Sequence, residues 1–407
     1  MRYLVVRRQL TDGDMLPVGP MGHKRGDNDR PPPFKIEFGE FTESTANDER
    51  GDPTVIDVIL SVPFKLIDPI SDTTADTAWG IEAVGARSHT SGGKGVTVAV
   101  LDTGIDVKHP AFTGLTFGPE NLQDFTADER GIPGSAPDDN GHGTHVAGTI
   151  FGREVAGKRI GVAPGVENVL IGKVLGPNGG STEAILNSIS WAFQNRADVI
   201  SMSLGIDFPG LAARLKDVFP HEVATSRALE AYRSTVRLFD RFAGFIEAHS
   251  PGGRAALLVA ASGNESQRER NRDFTVAAAP PAAAEGFISV GAVGPDGAVA
   301  DFSNTGCLFS APGVGVLSAW PGGTLKSLSG TSMATPHAAG VAAIWTQLLF
   351  PAGSRPRDWT RDVRRQMETT ARPLPYPRND VGLGLVQAPP KSMGGNAPSP
   401  PLRTRGG

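Results

Sequence analysis

Short runs of β-branched and other apolar residues alternate with helical patterns through most of the chain. The apolar runs occupy residues 96–102, 168–175, 198–205, 256–262 and 287–293. Helical patterns separate most of them, as at 182–194 and 226–248, and another follows Ser332. Continuous apolar strands joined by helices are typical of a mostly parallel sheet that is covered on both faces. The pattern therefore predicts an α/β, doubly wound, mostly parallel sheet with helices on both faces.

The alternation is regular only in the middle of the chain. Before it, two further apolar strands are predicted at 34–41 and 55–64 in polar sequence, and they could pair into a small sheet. After it, the sequence is rich in Pro, Gly and Ser, and we expect a disordered tail. We therefore divide the chain into a small N-terminal extension of α+β or β structure, a main domain and a tail, at 1–75, 76–388 and 389–407.

A long segment, residues 206–254, separates the third apolar run from the fourth. Its apolar side chains recur every three or four residues, which is typical of one face of a helix. They are Leu229, Tyr232, Val236, Phe239 and Phe242. We expect this helical insertion to pack on the main domain. The alternatives are that it docks a partner or shapes substrate specificity.

Composition and charge exclude several classes of function. Lys and Arg total 39 and Asp and Glu total 43, so the net charge of −4 provides no overall basic field for nucleic acid. Arg7 and Arg8 interrupt the first apolar run, which is not the pattern of a secretory signal, and no later run is long enough to span a membrane. The single cysteine, Cys307, excludes an intrachain disulfide. We expect a cytoplasmic monomer without nucleic acid or membrane partners.

Three residues that can carry chemistry stand at predicted element boundaries. Asp102 ends the run VAVLD, His142 lies between two glycines in NGHGTHVAG, and Ser332 opens a predicted helix in SGTSMATPHAAG. Alone, Asp102 is equally well explained as a turn cap and Ser332 as a helix N-cap. Together they are what nucleophilic acyl transfer needs: a hydroxyl, an imidazole that takes its proton, and a carboxylate that orients the imidazole.

Two other chemistries fit these residues less well. A nucleophile-elbow hydrolase has its serine first in the chain and within G-x-S-x-G, whereas Ser332 comes last and is followed by Met333. A metal site at His142 and His145 lacks a third ligand at a suitable spacing.

The three motifs resemble the aspartate, histidine and serine motifs of the subtilisin-family serine proteases, the subtilases. The resemblance covers about 77–388, ends in a predicted last strand at 382–388, and implies a subtilisin-like fold and a peptide or protein substrate. It implies that Asp102 is the orienting acid, His142 the general base and Ser332 the nucleophile. AASGNES (260–266) resembles the segment that holds the family's oxyanion asparagine, which is Asn264 here.

The resemblance also implies how a peptide is held. LGPNGGS (175–181) and SLG (203–205) resemble the two edges between which subtilases bind a peptide as an added strand. Ala279 is expected near the floor of the pocket for the side chain before the cut bond. Because the wall segments contain no acidic residue, we expect small to medium apolar or neutral side chains there. The implied substrate-binding residues are Gly179, Gly180, Ser203, Leu204, Gly205, Ala261, Ser262 and Gly263.

The sequence departs from the family at its usual calcium site. Ala111 and Val155 stand where calcium-binding subtilases supply an aspartate and an asparagine. Calcium needs several oxygen ligands. We therefore expect this site to be absent and no cofactor or metal to be required, although calcium could bind elsewhere.

A serine endopeptidase is the leading hypothesis for the function. The alternatives are a peptidase dedicated to one precursor and, against the intact motifs, an inactive binding scaffold. Subtilases are commonly made with an N-terminal pro-segment that blocks the site, and residues 1–75 have a suitable length for one. LIDPI (66–70) also resembles the proline-containing segment that intracellular relatives lay across the active site. The alternative is an ordinary extension that packs on the main domain.

Overall fold

The computed structural model describes residues 2–8, 34–67, 69, 77–206, 208–248, 255–351 and 354–390. The predicted disordered tail lies outside the described residues from 391 onward, and so do residues 68 and 70–76, which connect the extension to the main domain.

The N-terminal extension is a three-stranded antiparallel sheet with one helix. Its elements are β1 (Arg2–Arg8), β2 (Phe34–Glu40), α1 (Glu43–Arg50) and β3 (Val55–Leu60), followed by the short strand β4 (Phe64–Leu66). Both strands expected from the sequence are present. They pair with opposite edges of β1 and not with each other. The sequence analysis did not predict β1, whose apolar run is short and flanked by arginines.

The main domain alternates strands and helices. In chain order its elements are α2 (Trp79–Ala83), β5 (Thr97–Asp102), β6 (Leu122–Asp124), β7 (Ile132–Pro133), α3 (His142–Phe151), β8 (Glu154–Val155), β9 (Lys158–Arg159), β10 (Asn168–Lys173), α4 (Thr182–Gln194), β11 (Val199–Met202), β12 (Leu204–Ile206), α5 (Phe208–Lys216), α6 (His221–Ala248), β13 (Leu257–Ala261), β14 (Phe287–Val293), β15 (Phe309–Pro312), β16 (Val316–Trp320), β17 (Thr324–Leu328), α7 (Thr331–Leu349), α8 (Trp359–Thr370) and α9 (Arg378–Val381).

Eight of the described strands form one sheet in the order β15-β14-β13-β11-β5-β10-β6-β7. The pairs are parallel except β6 with β7. Successive side chains of a strand point to opposite faces, and β5 shows the result. Val98 and Val100 pack in the core on the side of α3 and α7, whereas Ala99 and Leu101 pack in the core on the side of α4 and α6. The predicted mostly parallel α/β sheet is confirmed.

Helix α7 is buried from Thr331 to Thr346. Close packing explains its small residues: a Cβ added to Gly340 would lie 2.7 Å from Cβ of Val162. Its one buried imidazole, His337, donates a hydrogen bond from Nδ1 to the Met333 carbonyl at 2.8 Å. On the opposite edge of the imidazole ring, Nε2 lies beside Gly80. A Cβ built on Gly80 would lie 2.1 Å from Nε2, so no side chain fits at this position.

Helices α5 and α6 fill most of the 206–254 segment. On α6, Phe239 and Phe242 are buried in the same core as Leu4 and Ile59 of the N-terminal extension. Leu229, the first member of the predicted stripe, is instead 59 % exposed. The predicted apolar face of α6 therefore packs against the rest of the molecule only from Tyr232 onward.

The prediction of a last strand at 382–388 is wrong, because these residues form no continuous strand. Leu385 alone makes isolated bridges there, to Ser310 and Arg372. Gly382 and Gly384 have positive φ angles of 63° and 111°, which are incompatible with a continuous extended strand.

Two buried histidines predict how stability responds to acid. Burial lowers the pKa of His145 to about 3 and that of His337 to about 4. The unfolded chain takes up these protons near the ordinary imidazole value of ~6.5. Because the folded pKa values lie below it, stability is present above about pH 6.5 and is lost as the pH falls toward the folded values.

We therefore expect the melting temperature to fall between about pH 6.5 and pH 4, and to fall less steeply in His337→Gln. Thermal unfolding followed by circular dichroism at each pH measures both slopes, and Ser332→Ala protein prevents self-digestion. Equal slopes in the variant and its parent would contradict this account.

Candidate active site

Asp102 and His142 meet at the carboxyl edge of the sheet. Asp102 is the last residue of β5 and His142 the first of α3. Their side chains are buried, with His142 Nδ1 and Asp102 Oδ1 only 2.7 Å apart. The Thr103 N–H donates a second hydrogen bond to the same oxygen at 2.8 Å. The structure therefore holds the imidazole of His142 against the carboxylate of Asp102.

Asp138 holds the turn that leads into α3. It accepts hydrogen bonds from Thr103 Oγ1, Gly141 N–H and Thr144 N–H, each 2.8 Å long. Burial raises the pKa of this carboxyl, but the hydrogen bonds from Thr144 and Gly141 outweigh it, so that the pKa lies below its usual value. An ionised Asp138 therefore ties the end of β5 to the first turn of α3, which carries His142.

Ser332 is the second residue of α7. Its hydroxyl donates to the carbonyl oxygen of Ile67 at 3.1 Å and lies 3.5 Å from that of Ser203. His142 Nε2 is buried and has no hydrogen-bond partner within the described part of the chain. The structure therefore joins Asp102 to His142, whereas the Ser332 hydroxyl is bonded to the chain's own N-terminal segment.

Asn264 contacts the first turn of α7. Its Oδ1 accepts hydrogen bonds from the backbone N–H of Thr331 at 2.9 Å and from Thr331 Oγ1 at 2.8 Å. The Gly263 N–H donates to the same hydroxyl at 3.2 Å. A Cβ built on Gly330 would lie 3.0 Å from Asn264 Nδ2, so this amide nitrogen lies at the entry to the helix. Sequence reasoning missed the contribution of Thr331, although it stands within the serine motif.

The two predicted substrate edges are occupied by β4. On one side β4 pairs antiparallel with β12, with Leu66 opposite Leu204 and Lys65 opposite Gly205. On the other side Phe64 exchanges two backbone hydrogen bonds of 2.8 and 2.9 Å with one glycine, Gly180.

Glycine is required at the neighbouring position of the second edge. Gly179 has a φ of 84°, and a Cβ added there would lie 2.3 Å from the carbonyl oxygen of Phe64. The close approach of the β4 backbone therefore excludes any larger residue.

The side chain of Ile67 lies beside the predicted pocket floor. A Cβ built on Gly205 would lie 3.5 Å from Ile67 Cδ1 and 3.6 Å from Ala279 Cβ, so these three residues surround one space. The Ala279 N–H donates to the Ser262 carbonyl at 3.1 Å, which joins the floor to the wall. Ser203 makes a further contact, donating from Oγ to the Ser332 carbonyl at 3.1 Å. Ala261 is fully buried at the end of β13.

The described residues contain no group of three or more His, Cys, Asp or Glu that could hold a metal ion. His145, the second histidine of the motif, lies with Nε2 2.9 Å from the Val316 carbonyl and 3.1 Å from that of Lys326. Ala111 and Val155 are buried. Among the residues that the structure describes, no helix has the length and apolar character needed to cross a membrane.

Comparison with known proteins identifies the family that this chain resembles. The model of the subtilase family matches residues 93–386. An intracellular serine protease of Paenibacillus polymyxa is 36% identical over 276 residues, 66% of this chain and 72% of the relative. The major intracellular serine protease of Bacillus subtilis (strain 168) is 37% identical over 257 residues, 62% of this chain and 68% of the relative. Subtilisin Savinase of Lederbergia lenta is 36% identical over 320 residues, 76% of this chain and 96% of the relative.

Because Ala111 and Val155 supply no oxygen side chains, we expect EDTA to shift the melting temperature by less than about 2 °C, which corresponds to at most about 1.3 kcal/mol for a domain of this size. Differential scanning calorimetry of Ser332→Ala protein, with and without EDTA, makes the measurement free of self-digestion. A large decrease that added calcium reverses would reveal a calcium site.

Proposed function

Because this chain belongs to the subtilase family and is a serine protease of that kind, we propose that it is an endopeptidase whose triad is Asp102, His142 and Ser332. The observation that carries the assignment is the buried 2.7 Å contact between Asp102 and His142 at the edge of the sheet. Ser332 and Asn264 meet at the start of α7, and the N-terminus of a helix favours developing negative charge.

In the proposed reaction His142 Nε2 takes the proton of Ser332 as Oγ attacks the peptide carbonyl. The resulting imidazolium keeps its Nδ1–H on Asp102, which stabilises the positive charge. Asn264 Nδ2 and the Ser332 N–H bind the oxyanion of the tetrahedral intermediate. His142 then returns the proton to the leaving amine, and water hydrolyses the acyl-enzyme in a second round.

We propose that a peptide substrate binds in the place that β4 occupies. Its backbone would pair with Gly205 on one side and Gly180 on the other, which gives affinity without a sequence requirement. The place of Ile67 beside Gly205 and Ala279 supports a preference for small to medium apolar side chains before the cut bond.

The N-terminal extension is, in this proposal, an inhibitor of its own enzyme. The backbone pairs of β4 and the 3.1 Å hydrogen bond from Ser332 to the Ile67 carbonyl support it. Pro69 follows two residues later and has no backbone N–H to offer the cleft. Packing and inhibition are compatible roles here, because Phe64 is at once part of the cleft strand and part of the core.

We further propose that the enzyme works as a cytoplasmic monomer without a cofactor. The support for the location is the family likeness to relatives named as intracellular proteases. A net charge of −4 supports the absence of nucleic acid among its partners.

Replacing the nucleophile tests the triad. Ser332→Ala is expected to lower peptide hydrolysis by several orders of magnitude, because the remaining site provides only about 10³–10⁴-fold catalysis over water, a value taken from the serine proteases themselves. It should also block labelling by a fluorophosphonate and stay full length where the wild type shortens. Ser310→Ala, which removes another buried hydroxyl, is the control and should remain active. Labelling of Ser332→Ala equal to wild type would refute the assignment.

Weakening the cleft strand tests the inhibition. Ile67→Asp places a charge beside Ala279 and removes an apolar contact of about 1.5–3 kcal/mol. The fraction of full-length protein with an open cleft should therefore rise about 10–100-fold. The initial rate on a short peptide should rise by the same factor. Lys65→Ala is the matched control, because that side chain is exposed on the same strand. If Ile67→Asp is no faster than the control, the inhibitory reading fails.

A further inference from the structure

One buried amide side chain binds the loop that carries Asn264. Asn304 lies 40 residues further along the chain and is 0 % exposed. It lies in the connection at 294–308 that joins β14 to β15. It takes no part in the triad and does not touch the Ser332 side chain through any hydrogen bond that the described residues show.

Its carboxamide bonds to both sides of Asn264. After Asn264, its Oδ1 accepts from the N–H groups of Glu265 and Ser266, each at 3.1 Å. Before Asn264, its Nδ2 donates to the Ser262 carbonyl at 3.1 Å. Its backbone N–H also donates to the Gly263 carbonyl at 3.1 Å. A single side chain and its own backbone therefore satisfy polar groups on four neighbours of Asn264, two on each side of it.

The close approach also explains the glycine before Asn264. Gly263 has a φ of 114°, and a Cβ added there would lie 2.3 Å from Asn304 Nδ2. Any side chain at this position would push the two segments apart. The backbone turn and the buried amide therefore depend on each other.

From these contacts we infer that Asn304 is a positioning residue for the oxyanion site. It acts through Asn264 and does not touch the substrate. Thr331 holds the far end of the Asn264 side chain through Oδ1, and Asn304 holds the backbone at its near end, so Nδ2 is fixed where the oxyanion forms. Fixed donors stabilise an oxyanion without reorganisation during the reaction. This inference rests on the proposed role of Asn264.

The amide cannot be replaced by a carboxylate without loss. Asn304 Nδ2 also donates to Glu265 Oε2 at 2.6 Å. An aspartate at 304 would keep an acceptor for Glu265 and Ser266 N–H, but it would lose the donor to Ser262 and face a second carboxylate. The site therefore requires one donor and one acceptor on the same buried group.

The test is a double-mutant cycle between Asn264 and Asn304 in the full chain, with kcat expressed per active site titrated by a fluorophosphonate. Removal of an oxyanion donor costs about 10²–10³-fold in kcat in subtilisin itself. We expect Asn304→Ala to lower kcat about 10–100-fold with KM within about threefold, since the donor remains but is misplaced. In the Asn264→Ala background the same change should cost less than about threefold, because the group it positions is gone.

Ser303→Ala is the matched control. Ser303 is equally buried and precedes Asn304; its hydroxyl accepts from the Ala292 N–H on β14 at 3.0 Å and donates to the Asn304 carbonyl at 3.4 Å, so the variant disturbs the same segment without removing the Asn304 carboxamide. It should lower the melting temperature and leave kcat within about twofold. An unchanged kcat in Asn304→Ala, or an equal loss in both backgrounds, would overturn the inference. An unchanged kcat in Asn264→Ala would instead refute the proposed oxyanion role itself.

Should Asn304→Ala not fold, Asn304→Asp takes its place, because it preserves the volume of the side chain. We expect it to lower kcat, and Glu265→Gln added to it should recover part of the loss by restoring a hydrogen bond between the two side chains. Wild-type kcat in Asn304→Asp, or no recovery in the double variant, would count against the positioning role.

Discussion

The burial of helix α7 against the parallel sheet is the constraint on which the rest of the site depends. The helix packs on β11, β13, β14 and β15 and against α3, and the small residues in its middle, Ala338, Ala339 and Gly340, allow this close approach. A helix held in this way must begin at the carboxyl edge of the strands, where parallel sheets present their ligands. Its first turn therefore lies beside the segment that follows β13, where Asn264 accepts hydrogen bonds from Thr331. The same packing explains why a chain with few aromatic residues can still form a dense interior.

The N-terminal extension is joined to the main domain by apolar packing as well as by the cleft. Leu4, Ile59 and Phe64 belong to the core that also contains residues of α4 and α6. Burying a large apolar side chain contributes about 1.5–3 kcal/mol, so several such contacts together outweigh the few backbone hydrogen bonds that β4 makes at the edges. The apolar packing of the extension therefore provides most of the free energy that holds the extension on the main domain. The same packing keeps β4 in place between the two edges. In the proposed inhibition, a segment held in this way would compete with substrate at a high effective concentration.

The sequence indicated the parts of the fold that depend on local pattern. The buried strands of the sheet and helix α4 follow directly from apolar runs and helical periodicity, and the catalytic motifs were recognisable because each is a short stretch with a strict residue pattern. Contacts between segments that are distant in the chain could not be predicted from local sequence patterns. Asn304 looks like an ordinary loop residue until its distance to Ser262 is known, and β1 has too few apolar residues to stand out. The failure at 382–388 has a local cause, because the positive φ angles of Gly382 and Gly384 interrupt an otherwise strand-like run.

The long insertion connects the extension, the cleft and the pocket. On α6, the ring of Phe239 packs edge-on against that of Phe64, with centroids 5.9 Å apart. About two turns earlier, Tyr232 Oη donates to the Ala278 carbonyl at 3.0 Å, next to the predicted pocket floor at Ala279. The alternatives of packing on the body and shaping specificity are therefore not exclusive. In the proposed site, a helix that supports both the upstream end of β4 and the segment at Ala279 would act on substrate binding through its packing, without contributing a residue to the proposed chemistry at Ser332.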